Sequence, residues 1–347
     1  MPRVLKRILQ YGFFPALGIF LIWFQLKEMN TAERKEFQSA LSNANYTLVI
    51  PVVIMSLLSH LSRAIRWKIL IEPLGYHPKT HNTFFSVMVG YLANSALPRL
   101  GEVLKCTVLG KYEKIPAGPL VGTILLERTI DLLTYFVLIA LTIILQANVI
   151  GPKIMDIINE IGAKSHVPYW IKISVFIIGV MAVIFFFRWL FRRYPHNRIV
   201  SRLRRITRDV AAGFATIKHI KNRGWFFAHT LFIWTMYVLQ IYVGFRAVEA
   251  TSHLSLATAC ALLTVGTLAM IVTPNGIGAF PLAIAGVLTL YGITLGVGKS
   301  FGWIMWGVST GIIILAGIIS LILIPIVNKR KTKHPETDTS SGPENIS

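Results

Sequence analysis

Glu127-Arg128-Thr129-Ile130-Asp131 lies inside Leu120 to Leu145, a stretch otherwise free of charge. An ionisable side chain at the centre of a membrane helix costs about 2.5–3.5 kcal/mol on insertion scales and marks a functional site by default. Glu127 and Asp131 are four residues apart and share one helix face, and Arg128 is three residues from Asp131, within reach to neutralise it. The chemistry this suits is the handling of a charged headgroup at the base of a cavity, with Arg66 or Arg99 as partners. The plainer alternative is a self-compensating cluster near the cytoplasmic end of the helix.

Arg63, Arg66, Trp67 and Lys68 close an earlier apolar segment. Arg63 and Arg66 also share a face. They read either as a cytoplasmic anchor, with Trp67 in the aromatic belt, or as a pair of which one arginine faces a lipid-phosphate cavity.

Two apolar stretches are interrupted at matched places. The first break reads Asn94-Ser95-Ala96-Leu97-Pro98-Arg99-Leu100-Gly101-Glu102. Pro98 blocks helix continuation and biases Leu97 to an extended conformation, while Gly101 permits backbone angles that other residues resist. Backbone groups freed there must be buried in protein or line a wet cavity, and half-helix ends can hold an ionic headgroup. Arg99 and Glu102 stand at the break, as site residues or as a mutual ion pair on a loop. The second break, Thr273-Pro274-Asn275-Gly276-Ile277-Gly278-Ala279-Phe280-Pro281, carries no charge. Pro274, Asn275, Gly276 and Gly278 make it a hinge or close-packing element.

These residues are positioned by membrane helices. The chain is 54% hydrophobic and 14% charged, against roughly 25% charged residues in a soluble domain. Stretches near 8–26, 47–65, 118–146, 168–190, 225–247 and 301–327 approach the roughly 20 apolar residues of a spanning helix. Lys27-Glu28-Met29-Asn30 after Leu26 offers no signal-peptide cleavage site, so the first is an uncleaved helix. Little sequence remains for a soluble catalytic domain. Cys106 and Cys260 make no disulfide framework.

The net charge of +20 is distributed unevenly. Residues 1–7, 63–81, 99–114, 188–223 and 329–331 are basic, whereas the loops 27–46 and 147–167 are balanced. Basic segments lie on the cytoplasmic side, which puts both termini there. Parity then requires each broken segment to enter and leave on one side, the first from the cytoplasm and the second from outside. The expectation is an all-α, polytopic helical integral membrane protein with two oppositely oriented re-entrant helical hairpins, inverted-repeat-like. A single transmembrane domain covers 1–327. Its first half, about 1–147, holds a hairpin at about 82–112, and its second, about 168–327, one at about 254–297. Residues 328–347 read as a disordered cytoplasmic tail.

Residues 196–223 form a basic amphipathic helix, with Ile199, Leu203, Ile206, Val210, Phe214 and Ile217 on one face. It suits the headgroup plane and anionic lipid. Nucleic-acid binding is the rival reading of a basic run, and the closely flanking spans weigh against it. Gly292 to Ser300 imitates a phosphate-binding loop, but Ile293 stands where glycine is required. His77 and His81 are separated by Pro78 and read as a loop pair with no metal. No Ser–His–Asp constellation or metal signature is seen, and no cofactor is implied.

At Arg63 to Trp67, Val89-Gly90-Tyr91 through Glu102, Glu127-Arg128 with Asp131, and Pro274-Asn275-Gly276-Ile277-Gly278, the chain resembles the lysylphosphatidylglycerol synthase transmembrane-region family, also called the UPF0104 membrane family. The likeness covers about residues 45–325. Its best-understood members pair this domain with a soluble synthase that attaches lysine to phosphatidylglycerol, and the membrane domain is taken as the flippase for that lipid. The resemblance implies Arg99, Glu102, Glu127, Arg128 and Asp131 as site residues. With no synthase domain in this sequence, the lipid is left open.

The leading expectation is a lipid translocase of the bacterial-type cytoplasmic membrane. Its substrate-binding candidates are Arg66, Asn94, Arg99, Glu102, Glu127, Arg128 and Asp131, and its hinge candidates are Pro98, Gly101, Pro274, Asn275, Gly276 and Gly278. Membrane lipids, anionic phospholipid foremost, are the partners implied, with a lipid-modifying enzyme or a second copy of the chain left open. The alternatives are a membrane-embedded transferase using Glu102 or Asp131 as base or metal ligand, and a scaffold for a separate lipid-modifying enzyme.

Overall fold

The computed structural model describes residues 27–97, 99–147 and 222–329, together with 20, 23–25 and 149. Among the described residues all regular structure is helical, and no strand occurs. The helices are α1 (Thr31–Ser42), α2 (Val49–Ile71), α3 (Thr80–Ala96), α4 (Leu100–Glu113), α5 (Ala117–Leu145), α6 (Arg223–Phe245), α7 (Leu256–Val272), α8 (Ala279–Thr289) and α9 (Leu295–Lys329). The spans expected near 8–26 and 168–190, the basic helix 196–223 and the tail 328–347 lie almost wholly outside the described residues, and Pro98 lies outside them too.

Among the described residues four helical segments are long and apolar enough to cross a bilayer: Tyr46–Leu74, Ala117–Leu145, Arg223–Phe245 and Leu295–Lys329. At about 1.5 Å per residue, the shortest, with 23 residues, covers a hydrocarbon core of about 30 Å. Their outward faces carry exposed apolar side chains such as Val137 and Ile144 on α5 and Leu315 and Ile322 on α9. Water would oppose such surfaces and lipid accepts them.

α3, α4, α7 and α8 have 17, 14, 17 and 11 residues, all short of a span. They form two helix pairs, α3–α4 and α7–α8, each broken where the sequence places Pro98 or Pro274. The two breaks share one backbone path. Leu97 (φ −143°, ψ 122°) and Thr273 (φ −120°, ψ 149°) are extended, and their N–H groups still donate to Ala93 and Ala269. Arg99 (φ 68°) and Asn275 (φ 52°) then turn left-handed. Leu100 N–H donates back to Leu97 O at 3.3 Å, and Gly276 N–H to Thr273 O at 3.1 Å. Left-handed angles at the third residue and a closing bond from the fourth are the marks of a type II turn.

Each half therefore runs span, broken pair, span: α2, α3–α4, α5, and again α6, α7–α8, α9. The packing repeats with the order. α2 lies on α3 as α6 lies on α7, and α4 on α5 as α8 on α9. Across the halves α5 packs on α7 while α9 packs on α3, and α2 and α6 pack on each other. The contact of α2 with α9 has no counterpart of similar extent. The Pro274–Gly276 turn reaches α3, so the second break touches the first pair.

Close approach within these pairs needs glycine. A Cβ on Gly90 of α3 would sit 2.9 Å from the carbonyl oxygen of Gly101 on α4, and one on Gly101 would overlap the Gly90 carbonyl and the Asn94 amide. Along α9, Gly298 faces Ala285 and Gly302 faces Pro281, a groove that receives α8. The residues imitating a phosphate-binding loop thus enter the first turns of α9, where their glycines serve packing.

The loop expected at 27–46 contains α1. Asn30 and Glu33 cap it reciprocally: Glu33 N–H donates to Asn30 Oδ1 at 2.8 Å, and Asn30 Nδ2 donates to Glu33 Oε1 at 3.2 Å. α1 packs on the start of α9, where Lys299 approaches Glu33 at 3.6 Å.

Candidate functional site

α2 does not end at its basic residues. It runs to Ile71 and turns Arg63 and Arg66 inward, with Arg66 0% exposed. Buried guanidinium groups need anions, and α5 supplies them. Arg63 Nη1 lies 2.8 Å from Asp131 Oδ2 and 3.6 Å from Glu127 Oε1. Arg66 Nη2 lies 3.2 Å from Glu127 Oε1, and Arg66 Nη1 lies 2.7 Å from Asp131 Oδ1. That last contact is one of charge without a directed hydrogen bond, because Asp131 Oδ1 accepts none.

α4 adds a third cation. Lys105 Nζ meets Glu127 Oε2 at 2.8 Å and rests 4.0 Å above the centre of the Trp67 ring. α6 completes the shell: Arg63 donates to Tyr237 OH at 3.2 Å and Arg66 to Thr230 Oγ1 at 3.2 Å. Five ionic side chains from α2, α4 and α5 thus form one buried network, tied to α6 by two hydroxyls. Beside it Ser62 Oγ and His229 Nδ1 are 2.8 Å apart.

A cleft opens on this network at the first break. Tyr91 and Asn94 of α3, Glu102 and Lys105 of α4, and Glu127 and Arg128 of α5 line it. Its enclosed volume is about 10 Å3, room for about one water and far below the roughly 300–1,000 Å3 of small-ligand sites. Glu102 and Arg128 stand at its half-exposed rim, 3.4 Å apart. Asn94 Oδ1 accepts from Gly101 N–H at 2.8 Å, satisfying one of the amides freed at the start of α4.

The profile of the family described as "Lysylphosphatidylglycerol synthase TM region" matches residues 8–317 of this chain. The chain belongs to that family. A UPF0104 membrane protein of Methanocaldococcus jannaschii is similar to it, 26% identical over 251 residues that cover 69% of this chain and 73% of that protein. No solved structure matches it. Family membership and the four long apolar helices together make the chain an integral membrane protein.

In this lysylphosphatidylglycerol synthase TM-region protein, the residues singled out in the sequence divide into three groups. Arg66, Glu127 and Asp131 meet in the network, and Asn94, Glu102 and Arg128 line the cleft. Arg99 is exposed at the turn and forms no ion pair among the described residues. In the second break Trp306 Nε1 donates to Asn275 O at 2.8 Å and Asn275 Nδ2 to Thr310 Oγ1 at 3.2 Å. Gly276 and Gly278 are buried there with positive φ. Among the described residues no charged side chain enters these contacts.

Three alternatives that the sequence left open fall away. Arg128 does not neutralise Asp131, because Arg63 and Arg66 already do and Arg128 turns to Glu102. Glu102 therefore does not pair with Arg99. Trp67 is not a belt residue: it is 0% exposed, and its indole donates to Thr123 Oγ1 at 2.9 Å. Lys105, Tyr237 and Thr230 were not foreseen. The one available signal for Lys105 was its place inside Val103-Leu104-Lys105-Cys106, an apolar run.

Proposed function

We propose that the protein is a lipid translocase whose headgroup path runs through the cleft between α3, α4 and α5. The observation that carries this reading is the buried ion network at a helix break. Burying an ion costs several kcal/mol even after relaxation, and replacing a buried ion pair with packed apolar residues is often neutral or stabilising. A fold that retains five such groups at an interrupted helix is spending stability on the handling of charge.

The two broken pairs are read as re-entrant hairpins, since none of their helices is long enough to span. The reciprocal packing of the halves fits an inverted repeat, with the first break facing the cytoplasm beside the basic segments and the second facing out. Both termini are then cytoplasmic, in a bacterial-type cytoplasmic membrane. The cleft as it stands is small for a headgroup, so entry requires α4 to part from α5 at the Glu102–Arg128 rim. Exposed pairs of this kind contribute about 0–1 kcal/mol, so the rim pair itself parts at little cost while the buried Lys105–Glu127 contact below it still ties α4 to α5. Acyl chains stay in the bilayer against the apolar outer faces while the headgroup moves past the network, downhill or coupled to an ion gradient.

The test is headgroup translocation in proteoliposomes with labelled anionic, amino- and glycolipids. Transport of one class above protein-free vesicles supports the reading. No transport of any class by folded protein rejects it.

A further inference from the structure

Among the described residues the charge count of the network does not close. Arg63, Arg66 and Lys105 bring three positive charges, against two negative charges from Glu127 and Asp131. The rim pair of Arg128 and Glu102 is neutral in itself. Donors run over as well, because the Nε–H groups of Arg63 and Arg66 are buried and meet no acceptor among the described residues. Asp131 Oδ1 also lacks a directed hydrogen bond, but its charge is compensated 2.7 Å away by Arg66. Counted over the described residues, a buried network left with one cation and two donors in surplus is short of an anion.

Of the three cations only Lys105 lines the cleft. Its ammonium has three donors, of which one is given to Glu127 Oε2. The Trp67 ring beneath it, 4.0 Å away, favours the cation without supplying a negative charge. Lys105 is thus the point at which an incoming anion meets the surplus. Glu127 keeps Arg66 on its other oxygen, so an anion can share Lys105 without dismantling the network.

We propose that Lys105 anchors a lipid phosphate whose negative charge is not cancelled by an amine of the same headgroup. The proposal rests on the translocase reading and narrows it to one chemical class. One added negative charge brings the buried count to zero. A headgroup with net positive charge deepens the imbalance and is disfavoured by like-charge repulsion, and a zwitterion leaves it unchanged. The site thus selects anionic lipids over aminoacylated ones.

Binding and transport are measured separately. Purified protein in a neutral detergent is melted with dioleoyl phosphatidylglycerol, lysyl-phosphatidylglycerol, phosphatidylcholine or inorganic phosphate, because a ligand that binds only the folded state raises Tm by mass action. The expected result is a shift with phosphatidylglycerol alone, lost in Lys105→Gln and kept in Lys105→Arg, with roughly tenfold or more weaker binding in the glutamine variant. An equal shift with the lysyl lipid or phosphatidylcholine overturns the proposal. So does an unchanged shift in a folded Lys105→Gln protein, or a shift by inorganic phosphate that equals the lipid's. If phosphatidylglycerol binds through Lys105 and no lipid crosses proteoliposomes, the anchoring site stands and the translocase reading falls. If lipids cross but binding does not depend on Lys105, the translocase reading stands and the anchoring site falls.

Discussion

Lys105 and Glu127 stand 2.8 Å apart on two helices joined by a short Lys114–Pro116 connection, and the pair ties the second helix of the broken pair to the span that follows. Through Glu127 the same contact reaches Arg66 on α2, so the first half is held together by charge at its centre. Apolar packing surrounds it, with Trp67, Leu109, Leu120 and Ile124 in one cluster.

Removing one member of a buried pair leaves its partner uncompensated, which costs about 3–5 kcal/mol. Glu127→Gln leaves Asp131 alone against three cations, and its melting temperature in detergent is expected well below that of the parent. Glu102→Gln, on the exposed rim, is expected within about 1 kcal/mol of it. Thermal unfolding of the two variants side by side checks the contrast, and equal losses contradict the burial argument.

Much of this site was legible from residue type alone. Glu127 and Asp131 betray themselves as acids in an apolar run, and Pro98 and Pro274 mark where helices must stop. Cations are harder to read. Lys105 and Arg63 lie in segments that read as basic cytoplasmic flanks, where the positive-inside rule gives any basic residue a ready explanation, and only the apolar run around Lys105 hinted that it turns inward. Trp67 was ambiguous for the same reason. Arg128 misled because its sequence neighbour Asp131 was a plausible partner, whereas α2 supplied two guanidinium groups from 65 to 68 residues away. Tyr237 and Thr230 carry no signal, since hydroxyls on a span cost little and occur for many reasons. In the fold, α1 hid in a polar loop whose capping pair, Asn30 and Glu33, was the only clue.

The first break depends on two glycines in contact. Gly101→Ala forces a Cβ against the Gly90 carbonyl and the Asn94 amide, and overpacking of this kind costs about 1–3 kcal/mol. Gly118, with open space around its Cβ position, is the control, and Gly118→Ala is expected to be neutral or slightly stabilising. Circular dichroism melts of the two variants decide the matter.

Arg99 occupies a left-handed conformation with φ 68°, which costs a non-glycine residue roughly 1–2 kcal/mol. It is exposed and repays none of this through an ion pair among the described residues. Arg99→Gly is therefore expected to raise thermal stability by about 1 kcal/mol. If Arg99 guides headgroups toward the cleft, the same variant transports more slowly while melting higher. A loss of stability contradicts the backbone argument.

The most direct test of the translocase account separates the cleft from the fold. In the double variant Glu102→Arg, Arg128→Glu the rim pair is kept with its polarity reversed, at a site too exposed to matter much for stability. The measurement is the rate at which labelled phosphatidylglycerol crosses proteoliposomes, compared with the parent protein. The account predicts transport by the parent and a fall of about tenfold in the double variant, equivalent to roughly 1.4 kcal/mol, with Tm unchanged. A parent protein that moves no lipid, or a reversed rim that transports at the parental rate, contradicts it.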